Sequence, residues 1–110
     1  MSNVILVLEG TVKTGERDAF EAFLCEARPY YESIGDVTMR VMWQDDRRFR
    51  EIFEYHTEAA YRCDDDRVNN DPVMAGYLAR WRAFLESGPD VSVWREMNLT
   101  ESTSSGAPVE

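Results

Sequence analysis

The chain reads as an α+β fold, with four stretches of strand patterning interleaved with two of helical patterning. Three observations carry this. Val4–Val12 is an aliphatic, β-branched run closed by the turn residues Lys13, Thr14 and Gly15. Phe20, Phe23, Leu24 and Ala27 fall at i, i+3, i+4 and i+7, which is one face of a helix. Val37–Gln44 and Phe49–His56 are two further strands around the polar loop Asp45-Asp46-Arg47-Arg48, a loop of hairpin length. The resulting order, β-α-β-β-α-β, is the split βαβ arrangement of ferredoxin-like domains with an antiparallel sheet. Right-handed crossovers then place both helical segments on one face.

The first helix spans Glu16–Ser33, with acidic residues in its first turn and Arg28 later, and Pro29 is expected to kink or end it. Gly35 breaks the chain before the second strand. Thr57 is an N-cap residue ahead of Glu58, Ala59 and Ala60, and this helix runs through Tyr61 to falter near Asn69-Asn70. Asp71-Pro72 restarts it, the aspartate as cap and the proline at the first helical position. Met74, Leu78, Trp81 and Leu85 repeat at i, i+4, i+7 and i+11, and Gly88-Pro89 is expected to stop the helix. Asp90–Met97 is the last strand. Residues 1–98 form one domain, and 99–110, rich in Ser, Thr, Gly and Pro, reads as a polar, disordered tail.

Val4–Leu8 is apolar on both parities, the mark of a strand covered on both faces. In the other strands one parity is more apolar (Val37, Met39, Val41, Trp43; Phe49, Phe53, Tyr55; Val91, Val93, Met97) and belongs under the helices. The opposite parity mixes Met42, Ile52 and Trp94 with Thr38, Arg40, Arg50, Glu54, Ser92 and Glu96. Nothing in the chain is left to cover that face. It is therefore expected to pair sheet to sheet with a second copy, as a homodimer. The other possibility is an open, wet face with scattered apolar residues, which is ordinary on a monomer.

Composition excludes several classes. Twenty-one acidic against twelve basic residues give a net charge of −9, which argues against binding nucleic acid through a basic face. Val4–Leu8 is the longest strictly apolar run, far short of the roughly 20 residues of a membrane span. No Lys or Arg precedes it, so no signal peptide is expected. Cys25 and Cys63 are far apart and sit in no metal or redox spacing, which leaves a reducing cytoplasm as the expected compartment.

Ile52-Phe53-Glu54-Tyr55-His56 running into Thr57-Glu58-Ala59-Ala60-Tyr61, the Asn70-Asp71-Pro72 break and Tyr77-Leu78-Ala79-Arg80-Trp81-Arg82 together carry a likeness. From Val4 to Met97 the chain resembles the dimeric α+β barrel superfamily, which includes antibiotic biosynthesis monooxygenase-like and NIPSNAP-like proteins. The resemblance implies a dimer and a cleft between sheet and helices, with Tyr55 in the aromatic place at the end of the third strand. It also implies an activity such as oxygenation of aromatic compounds without a cofactor. Haem-degrading members carry a histidine on the second helix; this chain has Asp64–Asp66 in that region, and no cofactor is expected.

Few residues carry candidate chemistry. His56 is the lone histidine, either an acid/base titrating near neutrality or a polar residue at a strand end. Glu51 and Arg95 are charged exceptions on the apolar parity, each an ion-pair partner, a pocket group, or a residue at an open edge. Trp43, Tyr55, Trp81 and Arg95 are expected around one cavity on the helix side, with Arg95 as the fixed cation for an enolate, phenolate or carboxylate on a flat ligand. The wider set Tyr30, Tyr31, Trp43, Tyr55, Tyr61, Tyr77 and Trp81 either lines a pocket or fills the core. Asp64-Asp65-Asp66 cannot converge on one ion, because consecutive helical positions point apart, and is expected on a solvated face. No metal site is expected. Two functions remain: a cofactor-independent monooxygenase with catalytic candidates His56 and Glu51, or a non-enzymatic barrel that binds a small molecule or a protein.

Overall fold

A computed structural model describes residues 3–99. Four strands, β1 (Val4–Val12), β2 (Val37–Trp43), β3 (Arg48–Tyr55) and β4 (Leu85–Arg95), form one antiparallel sheet in the order β2-β3-β1-β4. Helix α1 (Arg17–Tyr31) with a short 3-10 turn (Glu32–Ile34), α2 (Glu58–Asn70) and α3 (Pro72–Ala83) supply the helical layer. This is the ferredoxin-like α+β arrangement that the patterning predicts, with its second crossover made of two helices.

Local chemistry sets most boundaries. Asp45 accepts from the Arg47 and Arg48 backbone N–H groups at 2.9 and 2.8 Å, an Asx turn that closes the β2–β3 hairpin. Thr57 caps α2 through the Ala60 N–H, and Asp71 caps α3 through the Val73 N–H. Helix α1 passes through Pro29 for two more residues. Proline so near a C-terminus removes one hydrogen bond from a turn that is ending anyway.

β4 departs most from expectation, beginning at Leu85 instead of Asp90. The helix stops at Ala83, and Gly88-Pro89 lies inside the strand instead of ending a helix. An edge strand tolerates this: its ladder to β1 shifts register between Glu9 and Thr11, beside Gly88 with φ +97°. The backbones approach closely there, since a Cβ on Gly10 would stand 2.9 Å from the Ser87 carbonyl oxygen.

The core lies between the helices and the inward parity of β1, β2 and β3, around Val4, Phe20, Met39, Phe49 and Tyr55. Val91 and Val93 share that parity through their pairing with Leu8 and Leu6, yet both are exposed, as is Met97. The expectation that they lie under the helices is corrected. The helical layer covers three strands and leaves the edge strand bare. On the opposite face, Arg50 pairs with Glu9 at 2.5 Å, and Arg40 and His56 flank Glu54 at 3.7 and 3.9 Å. Met42 and Trp94 stand exposed among them. Residues 100–110, nearly all of the predicted tail, lie outside the described residues.

Candidate functional site

Glu51 sits on the inward parity of β3 between Phe49 and Phe53, where the alternation places an apolar side chain. It is 1% exposed, and no cation pairs with it among the described residues. One contact steadies it: the Trp81 indole N–H, brought across from α3, donates to its Oε2 at 2.5 Å. Burial favours the neutral form and pushes the Glu51 carboxyl up to about 7, with the indole hydrogen bond acting in the opposite direction. A carboxyl poised there is suited to accept and return a proton near neutral pH.

Glu51 and Trp81 line a cavity of about 60 Å³ with Tyr31 and Asp64. Leu8, Phe53, Met74 and Leu78 make its remaining inner wall apolar, and Val68, 42% exposed, closes it toward the surface. Tyr31 packs edge-on against Phe53 and Tyr77, and its hydroxyl is held well above the usual phenol range by burial first and by Glu51 next.

Asp64 is buried, which corrects its expected place on a solvated face. The Tyr55 hydroxyl donates to it, and Arg67 Nη2 donates to its Oδ1 at 3.0 Å. Arg67 also donates to the Tyr30 and Tyr31 carbonyls at 3.0 and 2.9 Å, which places a cation at the C-terminus of α1. Sequence reading missed Asp64 and Arg67, although Ala60, Asp64 and Arg67 follow the i, i+4, i+7 spacing of an inward helical stripe.

The four expected cavity residues do not come together. Trp81 lines the chamber, and Tyr55 reaches it only through Asp64. Trp43 lies at a separate open groove of about 300 Å³ along the β2 edge, with Leu24, Cys25, Arg28 and Met39. Its indole N–H donates to Glu21 at 2.5 Å, and the Arg17 guanidinium lies 4.3 Å over its ring. Arg95 is exposed: its Nε and Nη2 donate to Glu58 at 3.2 and 2.8 Å, clamping β4 to the start of α2. It is not the cation of a cavity, because its guanidinium is half exposed and engaged at the surface by Glu58 and the Tyr61 ring of α2. His56 is exposed on the open face, 3.3 Å from the Thr38 hydroxyl. Most of the remaining aromatics pack on one another, as in Phe20–Phe49 and Tyr30–Tyr77. Among the described residues no three His, Cys, Asp or Glu side chains are grouped to hold a metal, and no helix is long and apolar enough to cross a membrane.

Solved structures share this architecture. A protein named as an antibiotic biosynthesis monooxygenase from Bordetella bronchiseptica is 13% identical, with a TM-score of 0.72 over 88% of this chain and 99% of that one. SnoaB, a cofactor-independent oxygenase from Streptomyces nogalater, is also 13% identical, with a TM-score of 0.64 over 86% and 91%. An uncharacterized NIPSNAP domain protein from Burkholderia xenovorans gives 12% identity and a TM-score of 0.65 over 86% and 95%. The chain has their fold. These are the proteins that the sequence resembles, and the antibiotic biosynthesis monooxygenase-like and NIPSNAP-like α+β fold is now seen in its strands and helices. No family model matches the chain, and neither does any curated protein.

Proposed function

We propose that the protein is a dimeric α+β barrel of the cytoplasm that binds a small apolar molecule at the Glu51 chamber and oxygenates it without a cofactor. One observation carries the reading: a buried carboxyl, paired with no cation and poised near neutrality, opens onto an apolar cavity. Its support from the fold is that SnoaB, which shares the architecture, is a cofactor-independent oxygenase. Glu51 takes a proton from an acidic CH₂ of the substrate. The carbanion then gives its electrons to dioxygen, and the resulting hydroperoxide loses water, so that CH₂ and O₂ become C=O and H₂O. The protein's part is to position, to desolvate and to move the proton. Ligand pockets commonly measure about 300–1,000 Å³, so the chamber takes the reacting edge and the body of the ligand displaces the Val68 wall.

Oxygen uptake is the test. Metal-free protein with a panel of bicyclic phenols and their keto tautomers should consume dioxygen, and Glu51→Gln should slow this about 100-fold. Uptake by neither protein leaves binding without chemistry. The groove beside Trp43 favours that second reading, since it already has ligand size and presents Met39 and Leu24. Trp43 fluorescence, quenched by planar phenols and unaffected by Glu51→Gln, is the expected sign of it.

A further inference from the structure

Tyr31 is 5% exposed, and its hydroxyl has no hydrogen-bond partner among the described residues. Its neighbours differ: the Tyr30 hydroxyl donates to Asp71 and the Tyr55 hydroxyl donates to Asp64. A hydroxyl with no protein acceptor is free to donate to whatever lies beside it. Tyr31 belongs to the wall of the chamber that holds Glu51.

We propose that the chamber is an enolisation site for small neutral ketones, in which Glu51 takes the α-proton while the Tyr31 hydroxyl donates a hydrogen bond to the carbonyl oxygen. The proposal rests on the chamber being the ligand site, and adds a substrate class and a second working residue. The α C–H bond breaks and its electron pair becomes the enolate double bond. The proton goes to Glu51, and the charge that develops on oxygen is met by the Tyr31 O–H. Return of a proton from Glu51 to carbon regenerates the ketone, so no oxidant or reductant is needed.

The division of labour follows from the surroundings. Asp64 is already engaged by Tyr55 and Arg67, whereas Glu51 has no cation beside it and is left to trade the proton. Burial and the nearby carboxylates keep Tyr31 protonated, so it acts as a donor. Leu8, Phe53, Met74 and Leu78 offer nothing to a charged ligand, and two carboxyl groups on the wall oppose an anionic one. A neutral, compact, apolar ketone fits these terms.

The experiment follows exchange of the α-protons of 2-tetralone for deuterium by proton NMR, in D₂O under nitrogen. Wild-type protein should accelerate exchange, with a rate that rises with pH and levels off above about 7. Glu51→Gln should slow it about 100-fold, and Tyr31→Phe, which keeps the ring, should slow it by a similar factor with its pH inflection unmoved. Exchange under nitrogen with no oxygen uptake in air upholds enolisation and removes the oxygenase reading alone. Wild-type exchange no faster than that of Glu51→Gln, with both 2-tetralone and the smaller 2-indanone, overturns the proposal. So does a Tyr31→Phe variant as fast as wild type.

Discussion

Glu51 occupies a place where the sheet otherwise buries Phe or Val, and the pH dependence of folding should record it. Below pH 4.5, its ordinary value, folded and unfolded chains both hold it protonated. Between 4.5 and about 7 the unfolded chain has released that proton and the folded chain has not, so stability falls as pH rises through this window. A shift of this size corresponds to a loss of about 3 kcal/mol. Glu26, Glu58 and Asp71 are held below their ordinary values by Arg80, Arg95 and Tyr30 respectively, so their contribution is lost only at more acid pH. Glu51→Gln keeps an acceptor for Trp81 and removes the ionisation. Urea titrations should find it more stable than wild type at pH 8 and nearly equal at pH 4.5. The sequence shows Glu51 and Arg95 by one signal, a charge on the apolar parity. Their fates differ because alternation tells which face a side chain takes and not whether a helix covers it.

Helix α2 is short of apolar residues, burying only Ala60 and Asp64, and its seat on the sheet depends on polar ties. Arg67 bridges Asp64 to the last carbonyls of α1, so one side chain joins α1, α2 and, through Tyr55, β3. Removing it leaves Asp64 buried with a phenol alone. Arg67→Ala should therefore destabilise the fold by about 3 kcal/mol. In the double variant with Asp64→Asn the combined loss should be clearly less than the sum of the single losses, by denaturant unfolding. Strands and helices were legible because periods of 2 and 3.6 dominate this chain. The start of β4 was not, because Leu85 continues the Met74–Leu78–Trp81 stripe and Gly88-Pro89 resembles a helix stop. What decides it is distant: the Lys13 N–H donates to the Phe84 carbonyl, and Val12 then pairs with Leu85. Asp64 was missed for a related reason, since a run of three aspartates reads as solvated until the stripe of Ala60 and Arg67 is followed through it.

At the scale of the molecule, one sheet face is roofed by helices and the other carries Trp94, 62% exposed, with Met42 and the half-buried Ile52. Pairing of that face with a second copy is the expected cover. Ile52→Asp, in the middle of β3, should convert the dimer to monomer in sedimentation at micromolar concentration; a wild-type chain that sediments as a monomer refutes the pairing. Within the four strands the face carries Glu9, Glu54 and Asp90 against Arg40, Arg48 and Arg50. It is neutral, while the chain as a whole stands at −9. The negative excess is therefore carried by residues outside this strand face, and it opposes the approach of a second copy at long range. Salt screens such repulsion beyond about 10 Å at 0.1 M. Two copies of this acidic protein should accordingly associate more tightly as ionic strength rises, the reverse of partners drawn together by opposite charge.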